Sequence, residues 1–217
     1  MQTLTQAVSD AGLSNKVLHD PQLAILLEGT PQRRYNLVNR ALKAGELVRL
    51  KRGCYVLHPA ITGAKAHGFV IAQHLQPGSF VSFETALAWH GWIPEAVPLI
   101  ASVMPGRRKA DYSLPLWGDF RFVPLAQQRG YGLVAVRRVE LTGGVGLVAD
   151  PLRALLDLIG WRRIPPNTVP RFLDGLRLEP EWQDAAQPDV LMRLRRVYQH
   201  RRMGEVINRI ASELAHD

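Results

Sequence analysis

The run from residue 20 to 57 constrains the fold more than any other part of the chain. "DPQLAILLEG" opens with Asp20-Pro21 and ends at Gly29, and "TPQRRYNLVNRALKAG" opens with Thr30-Pro31 and ends at Gly45. A capping residue, a proline in the first turn and a closing glycine are typical of a helix. The two predicted helices are about three residues apart, which is the spacing of a helix-turn-helix.

The segment that follows predicts a β-hairpin. In "ELVRLKRGCYVL" apolar and polar residues alternate on both sides of a break at Lys51-Arg52-Gly53, which indicates two strands joined by a glycine turn. Helix, turn, helix and hairpin is the order of a winged helix. We therefore predict an α+β protein with a winged helix-turn-helix DNA-binding domain over residues 1–60.

The second predicted helix has two unlike faces. At about 100° per residue, Leu37, Val38, Ala41 and Leu42 form an apolar stripe, and Arg34 lies beside it, where its stem can pack. The opposite face holds amides and cations and no acid: Gln32, Arg33, Asn36, Asn39, Arg40 and Lys43. Amides read adenine and arginine reads guanine, so this face predicts contact with bases or phosphates. A merely solvated helix usually mixes Glu with Lys.

The predicted hairpin and the net charge also favour a nucleic-acid partner. The predicted wing carries Arg49, Lys51 and Arg52, which suit the minor groove or the phosphate backbone. The chain has a net charge of +8, and residues 31–52 alone carry +6. Residues 191–209 carry +5, so the remainder sums to about −3. Charge concentrated in two segments predicts a polyanionic partner.

Beyond "HPAITG" the cationic density falls, and we predict a second domain over residues 61–217. It is expected to be a mixed α/β domain. "SFVSFETALAWHGW" predicts a strand and a helix capped by Ser82, and "DPLRALLDLIGW" predicts a helix capped by Asp150. Short strands are predicted from about residue 99 to 148, and two helices after Asp189 that meet near Gly204.

Four segments occur along the chain in this order: "RRYNLVNRALKAGELVRLKRGCYVL", "SFVSFETALAWHGWIPEAVP", "ADPLRALLDL" and an Arg-rich C-terminal helix. Together they resemble the AbiEi family, the antitoxins of type IV toxin–antitoxin and abortive-infection pairs. The resemblance covers about residues 20 to 210. The first segment is moderately specific, because many winged helices share such a hairpin, and the second is more specific to the family.

The resemblance implies an antitoxin that binds double-stranded DNA at inverted repeats in its own promoter and represses its operon. It also implies that the C-terminal domain counteracts a nucleotidyltransferase-like toxin, in this family often without a stable complex. The family's DNA-reading helix maps onto Arg33, Arg34, Tyr35, Asn36, Asn39, Arg40 and Lys43, and its wing onto Arg49, Lys51 and Arg52. No toxin-directed residue carries over.

The C-terminal basic segment has several interpretations. Its cations are Arg193, Arg195, Arg196, Arg201 and Arg202. They suit an extension of the DNA footprint, RNA, an acidic toxin, or simply a solvated helix end. Membrane binding is the weakest alternative, because the apolar side of the helix is needed for packing.

We expect no enzyme activity, no metal and no cofactor. Glu84 and His90 are six residues apart and could form an acid–base pair, although helix capping explains them better. The best enzyme alternative is a metal-dependent nuclease built on Asp111, Asp119 and Glu140. No histidine or cysteine spacing favours a metal site, and the glycines of "LTGGVGLVAD" fit a strand turn better than a phosphate loop.

The remaining features predict a cytoplasmic protein without a membrane partner. The single cysteine, Cys54, excludes an intramolecular disulfide. No apolar run approaches the roughly 20 residues of a spanning helix, and no signal peptide is recognisable. The alternative function is a stand-alone winged-helix regulator whose C-terminal domain senses a ligand or a partner.

Overall fold

The computed structural model describes residues 3–214, which form a mixed α+β fold with a helical N-terminal region, a strand-rich centre and C-terminal helices. Two units are distinguished by their internal contacts. The first contains residues 3–77 together with the hairpin tip 139–146, and the second contains residues 78–138 and 147–214. The first unit thus continues past the boundary predicted at residue 60.

The first unit contains the helices and the hairpin predicted for residues 20–57. Its elements are α1 Leu4–Asp10, β1 Leu18–His19, α2 Asp20–Leu26, α3 Pro31–Lys43, β2 Leu47–Lys51, β3 Cys54–Leu57, α4 Pro59–Thr62 and α5 Gly68–Leu75. The strands form an antiparallel sheet in the order β1-β3-β2. Strand β1 was not predicted, because a two-residue strand has no periodicity to detect.

The ends of α2 and α3 test the predicted caps. Thr30 caps α3 as predicted, since its hydroxyl accepts from the Arg33 N–H at 3.2 Å. The prediction that Asp20 caps α2 was wrong: Asp20 is the first helical residue, and the N-cap is His19. There the Gln22 side chain accepts from the His19 N–H at 2.9 Å, the bond that the third helical residue makes to the N-cap in a capping box.

The core of the first unit joins α1 and α3 to the small sheet. Leu4 and Val8 of α1 are buried with Leu37 and Ala41 of α3, against strand residues such as Leu57. Burying a leucine side chain contributes about 1.5–3 kcal/mol, so this cluster fixes α3 on one side only. The opposite, polar side of α3 is left to solvent.

The second unit is built on a sheet. Its elements are β4 Phe80–Val81, α6 Phe83–Trp89, β5 Ile100–Met104, β6 Ala110–Leu114, β7 Gly118–Pro124, β8 Val136–Leu141, β9 Gly144–Ala149, α7 Pro151–Trp161, α8 Val169–Leu176, α9 Glu181–Ala185, α10 Pro188–Arg195 and α11 Arg201–Leu214. The tip of the β8–β9 hairpin, residues 139–146, belongs to the first unit. The strand order is β6-β7-β5-β4-β9-β8. Pairs β5/β7 and β4/β9 are parallel, and β6/β7 and β4/β5 are antiparallel.

The glycine-rich "LTGG" is a strand turn, as predicted. It links β8 to β9, and Gly143 has φ +95°. A Cβ there would lie 2.8 Å from the Ala66 Cβ and 2.9 Å from the Asn15 carbonyl oxygen. Both the left-handed conformation and this close approach require glycine.

The C-terminal helices meet at a different place from the one predicted. The break falls between α10 and α11, at residues 196–200, and Gly204 lies inside α11. Tyr198 forms a β-bridge with Gln127, and the Gln128 N–H donates to the Val197 carbonyl at 2.7 Å. These long-range bonds replace helical ones, so the helix stops where a sequence pattern shows no breaker.

A polar network lies at the centre of the second unit. Arg153 and Asp157, one turn apart on α7, are fully buried, and the Arg153 Nε–H donates to the Asp157 Oδ1 at 2.9 Å. The hydroxyl of Tyr198 donates to the same oxygen at 2.9 Å, and that of Ser82 donates to Oδ2 at 2.8 Å. Ser82 stands at the N-cap of α6, but its hydroxyl is used here instead of capping the helix as predicted.

The Arg153 guanidinium is held on its other side by backbone. It donates to the carbonyl oxygens of Val134 at 2.6 Å and Gly132 at 3.3 Å, and lies 5.0 Å from the centre of the Phe80 ring. The charge is therefore paired and hydrogen-bonded, which a buried charge requires. Asp150, the predicted cap of α7, occupies the N-cap position and pairs with Arg137, without a capping hydrogen bond.

We expect the first unit to lose stability as the pH falls from about 6.5 to about 4. His74 Nδ1 lies 2.9 Å from His19 Nε2, and burial, then His19 and Lys51, lower the pKa of His74 to about 4 from 6.5. The unfolded chain protonates His74 at higher pH than the folded chain, so acid favours unfolding by about 2–3 kcal/mol across this window. Urea denaturation followed by circular dichroism at pH 7 and 4.5 measures the loss.

The variant His74→Gln is the control for this pH dependence. It removes the titrating ring, so the stability difference between pH 7 and 4.5 should shrink relative to the native chain. An unchanged difference would assign the acid sensitivity to other groups.

Candidate nucleic-acid interface

The outer face of α3 is open and free of acid. Tyr35 is 65% exposed, and Asn36, Arg40 and Lys43 are exposed as well, while Asn39 is half-buried at the edge. No Asp or Glu occurs in the helix. This face therefore presents hydrogen-bonding amides and cations, and no acidic side chain of α3 neutralises those cations.

Two of the amides are paired with each other. The Gln32 amide nitrogen donates to the Asn36 Oδ1 at 3.1 Å, one turn along the exposed face. The pair uses one donor of Gln32 and the acceptor of Asn36. Its other groups, the Asn36 amide N–H donors and the Gln32 carbonyl oxygen, have the complementarity that an adenine edge requires.

Arg33 and Arg34 hold the connection between α2 and α3. The Arg33 guanidinium donates to the carbonyl oxygen of Glu28, and that of Arg34 to the carbonyl oxygen of Gly29 at 2.8 Å. Both side chains are half-buried. Arg34 lies at the apolar edge of α3, as the helix geometry predicts, whereas Arg33 is turned from the predicted outer face toward the interhelical turn.

The three cations of the hairpin have different surroundings. Arg52 is exposed in the turn, and Arg49 is exposed with its guanidinium carbon 5.9 Å from the centre of the Tyr55 ring. Lys51 instead donates from Nζ to the Leu75 carbonyl oxygen, the last residue of α5, at 2.8 Å. Lys51 is therefore held by the protein itself, and the exposed charge of the hairpin comes from the two arginines.

A groove of about 840 Å³ lies between α2, α3 and the hairpin. Its polar lining includes Arg34, Asn39, Arg49, Arg52 and Tyr55. Burial, together with neighbouring Asp20, raises the pKa of Tyr55, so its phenol stays protonated at neutral pH. Tyr55 was not predicted as a site residue, because its place in an apolar strand pattern indicates core.

The C-terminal basic residues do not form one uniform group. Arg193, Arg195 and Arg196 are exposed on α10 and just after it. Arg201 is exposed and pairs with Glu205 at 3.0 Å. Arg202 is half-buried and donates to the carbonyl oxygens of Ile164 at 2.9 Å and Gly160 at 3.0 Å.

Three of the residues considered for catalysis, Glu84, His90 and Asp111, contact other groups of the protein. Glu84 pairs with Arg162, and the His90 ring nitrogen lies 3.0 Å from the Ala149 carbonyl oxygen. Asp111 pairs with Arg121 at 3.2 Å, and Asp119 lies opposite Ser113 on the neighbouring strand. Within residues 3–214, no three His, Cys, Asp or Glu side chains are grouped so as to hold a metal ion.

Comparison with known proteins adds no relative. No family model matches the chain, and no curated protein matches it. None of the helices in the described part of the chain is both long and apolar enough to cross a membrane.

Proposed function

We propose that the first unit is a winged helix-turn-helix that binds double-stranded DNA sequence-specifically. In this proposal α2 and α3 are the helix-turn-helix, and the β2–β3 hairpin is the wing. The observation that carries the proposal is the exposed, acid-free face of α3 beside the exposed arginines of the hairpin. A helix face with both acids and cations would be explained equally well as an ordinary solvent-exposed surface.

The proposed mechanism follows from the width of the DNA major groove and from the hydrogen-bonding side chains on α3 and the hairpin. A major groove about 12 Å wide admits a helix, and the exposed side of α3 would enter it. Asn36 and Asn39 would then contact base edges, while Arg40 and Lys43 contact phosphates. Arg49 and Arg52 of the wing would hold the adjacent backbone or the minor groove. The amides supply selectivity and the cations supply affinity.

We further propose that the protein is an antitoxin that represses its own operon and counteracts a nucleotidyltransferase-like toxin. The support is the sequence resemblance to the AbiEi family, carried by "RRYNLVNRALKAGELVRLKRGCYVL" and "SFVSFETALAWHGWIPEAVP" together. The DNA targets would be inverted repeats in the promoter. The second unit would act against the toxin, with or without a stable complex.

Fluorescence anisotropy tests the DNA proposal directly. The full chain is titrated onto the duplex immediately upstream of its gene and onto a random duplex of equal length, at low and physiological salt. We expect a preference for the upstream duplex that persists at physiological salt. Equal affinities that fall together with salt would contradict sequence-specific binding and leave only generic attraction to a polyanion.

Two neighbouring hairpin cations give a matched pair of variants. Arg52→Ala is expected to weaken binding to both duplexes about tenfold and to reduce the salt slope by about one, because one phosphate contact is lost. Lys51→Met is expected to leave DNA affinity nearly unchanged and to lower the melting temperature, because its ammonium bonds the Leu75 carbonyl. Anisotropy and thermal melts measure both.

The reverse assignment, with Lys51→Met losing DNA affinity and Arg52→Ala losing none, would show that the hairpin contacts DNA through another face.

Co-expression tests the antitoxin proposal separately. A nucleotidyltransferase-like protein encoded by a neighbouring reading frame is expressed with and without this chain, and growth is measured. Growth arrest relieved by the native chain supports the antitoxin. Arrest that persists, with DNA binding intact, would favour a stand-alone regulator.

A further inference from the structure

A cleft of about 850 Å³ in the second unit is lined by cations and, within the part of the chain that the structure describes, by no acid. Among the described residues, its charged lining consists of Lys109, Arg163, Arg201 and Arg202, and His200 lies beside them. Trp161 and the apolar stretch from Val123 to Leu125 complete the wall. The cleft therefore combines a positively charged part with an aromatic and apolar part.

One of the cations is fixed in place by the backbone. Arg202 donates from both terminal nitrogens to the carbonyl oxygens of Ile164 and Gly160, at 2.9 and 3.0 Å. Burial, then the neighbouring charge of Arg163, lowers the pKa of Arg202. The positive charges of the cleft thus repel one another, and a bound anion would relieve that repulsion.

Arg163 occupies a backbone position that favours glycine. It follows the C-cap of α7 with φ +54°, and the N–H of the next residue, Ile164, donates to the Ile159 carbonyl at 3.1 Å. Glycine is the usual residue at such a left-handed helix end. An arginine there is strained, and its side chain is one of those that line the cleft. Strained backbone retained at a cleft is typical of a functional position.

The start of α11 adds to the positive potential. Residues 200–202 line the cleft at the N-terminus of this 14-residue helix. The N-terminal end of a helix carries partial positive charge from its backbone N–H groups, which favours phosphate. Glu205 pairs with Arg201 one turn along the helix, on exposed side chains, and does not line the cleft.

We propose that this cleft binds a free nucleoside 5′-polyphosphate. The phosphates would be held by Lys109, Arg163 and Arg201, and the base would lie against Trp161 and the apolar wall. The volume lies within the range of about 300–1,000 Å³ that small-molecule sites span. A purely inorganic anion would leave the aromatic wall unused, and a long nucleic acid needs no such cleft. The site shares no residue with the proposed DNA-binding face and does not depend on it.

The test is anisotropy of ATP labelled with a fluorophore, titrated with the full chain at 150 mM salt, in EDTA and in Mg²⁺. We expect saturable binding that persists in EDTA, because none of the lining residues among 3–214 is a carboxylate that could hold a metal ion. Unlabelled ATP should displace the probe, whereas inorganic tripolyphosphate and a single-stranded oligonucleotide of equal phosphate concentration should compete at least tenfold less well.

Arg163→Gly is the decisive variant, and Arg177→Gly is its control. Both remove an arginine from a left-handed helix end, with φ +54° and +49°, but only Arg163 lines the cleft. We expect Arg163→Gly to weaken ATP binding about tenfold or more, as the loss of a charged hydrogen bond does, while the melting temperature stays level or rises. Arg177→Gly should leave ATP binding unchanged.

Four results would each overturn the proposal. The first is no saturable binding of ATP up to about 1 mM, the concentration that weak sites require. The second and third are competition by tripolyphosphate equal to that by unlabelled ATP, and competition by the oligonucleotide stronger than that by unlabelled ATP. The fourth is a loss of ATP affinity in Arg177→Gly equal to that in Arg163→Gly. Lys109→Ala provides a second variant, just before strand β6, so the outcome does not depend on the folding of one helix end.

Discussion

Replacing Asp157 with leucine should lower the free energy of unfolding of the second unit by about 3–5 kcal/mol, because it leaves the Arg153 charge buried without its carboxylate. Arg153 and Asp157 are each 0% exposed, so water cannot replace the lost partner. The hydroxyls of Ser82 and Tyr198 would lose their acceptor as well. All five tryptophans lie in this unit, so urea denaturation followed by tryptophan fluorescence reports on it.

The double variant Arg153→Met with Asp157→Leu separates charge from packing. Removing both charges by introducing apolar side chains is expected to recover most of the loss, since a buried ion pair contributes little beyond an apolar pair. The Val134 carbonyl, which accepts from Arg153 at 2.6 Å, would remain unpaired and limit the recovery. A single Asp157→Leu variant within about 1 kcal/mol of the native chain would contradict this account.

Asn36→Ala should reduce the preference for the specific duplex by about 1–3 kcal/mol, or roughly five- to 150-fold in relative affinity, if Asn36 reads a base. Asn36 is exposed at the middle of the proposed recognition face and carries no charge. The Asn36→Ala variant should therefore have a lower affinity for the specific duplex and a nearly unchanged affinity for the random duplex. Anisotropy on both duplexes at physiological salt measures the two affinities.

Lys43→Ala is the matched control on the same helix face. It removes an exposed charge and should weaken both duplexes by similar factors, with a shallower salt dependence. If Asn36→Ala also weakened both duplexes equally, α3 would be binding DNA without reading its sequence. Asn39 is a less clean probe, because it is half-buried and lines the groove beside the hairpin.

Much of the first unit could be predicted because its signals are local. The Thr30 cap, the prolines and the 3.6-residue period of α3 act within a few residues of each other, so they set the helix and its two faces before any tertiary contact exists. The hairpin follows from alternation and one glycine turn. The cap of α2 was misplaced by one residue, since Asp20 is already helical and the Gln22 side chain accepts from the N–H of His19, the N-cap.

Several features of the second unit could not be predicted, because they depend on contacts between residues far apart in the sequence. Arg153 and Asp157 interrupt an apolar helix pattern and would ordinarily mark its solvent side, yet both are buried. Their partners, Ser82 and Tyr198, are 75 and 41 residues from Asp157. The break before α11 likewise depends on the bridge between Gln127 and Tyr198. No periodicity within a helix carries that information.

The sequence by itself determined which helix faces are apolar, where α3 begins, and that its polar face holds amides and cations without acid. Only the tertiary structure decided which cations are exposed: Arg33, Arg34 and Lys51 donate to backbone carbonyls, whereas Arg40, Arg49 and Arg52 face solvent. The apolar and polar faces of a helix depend only on the geometry of one segment. A long cationic side chain instead donates to an unsatisfied backbone carbonyl when the fold brings one within reach.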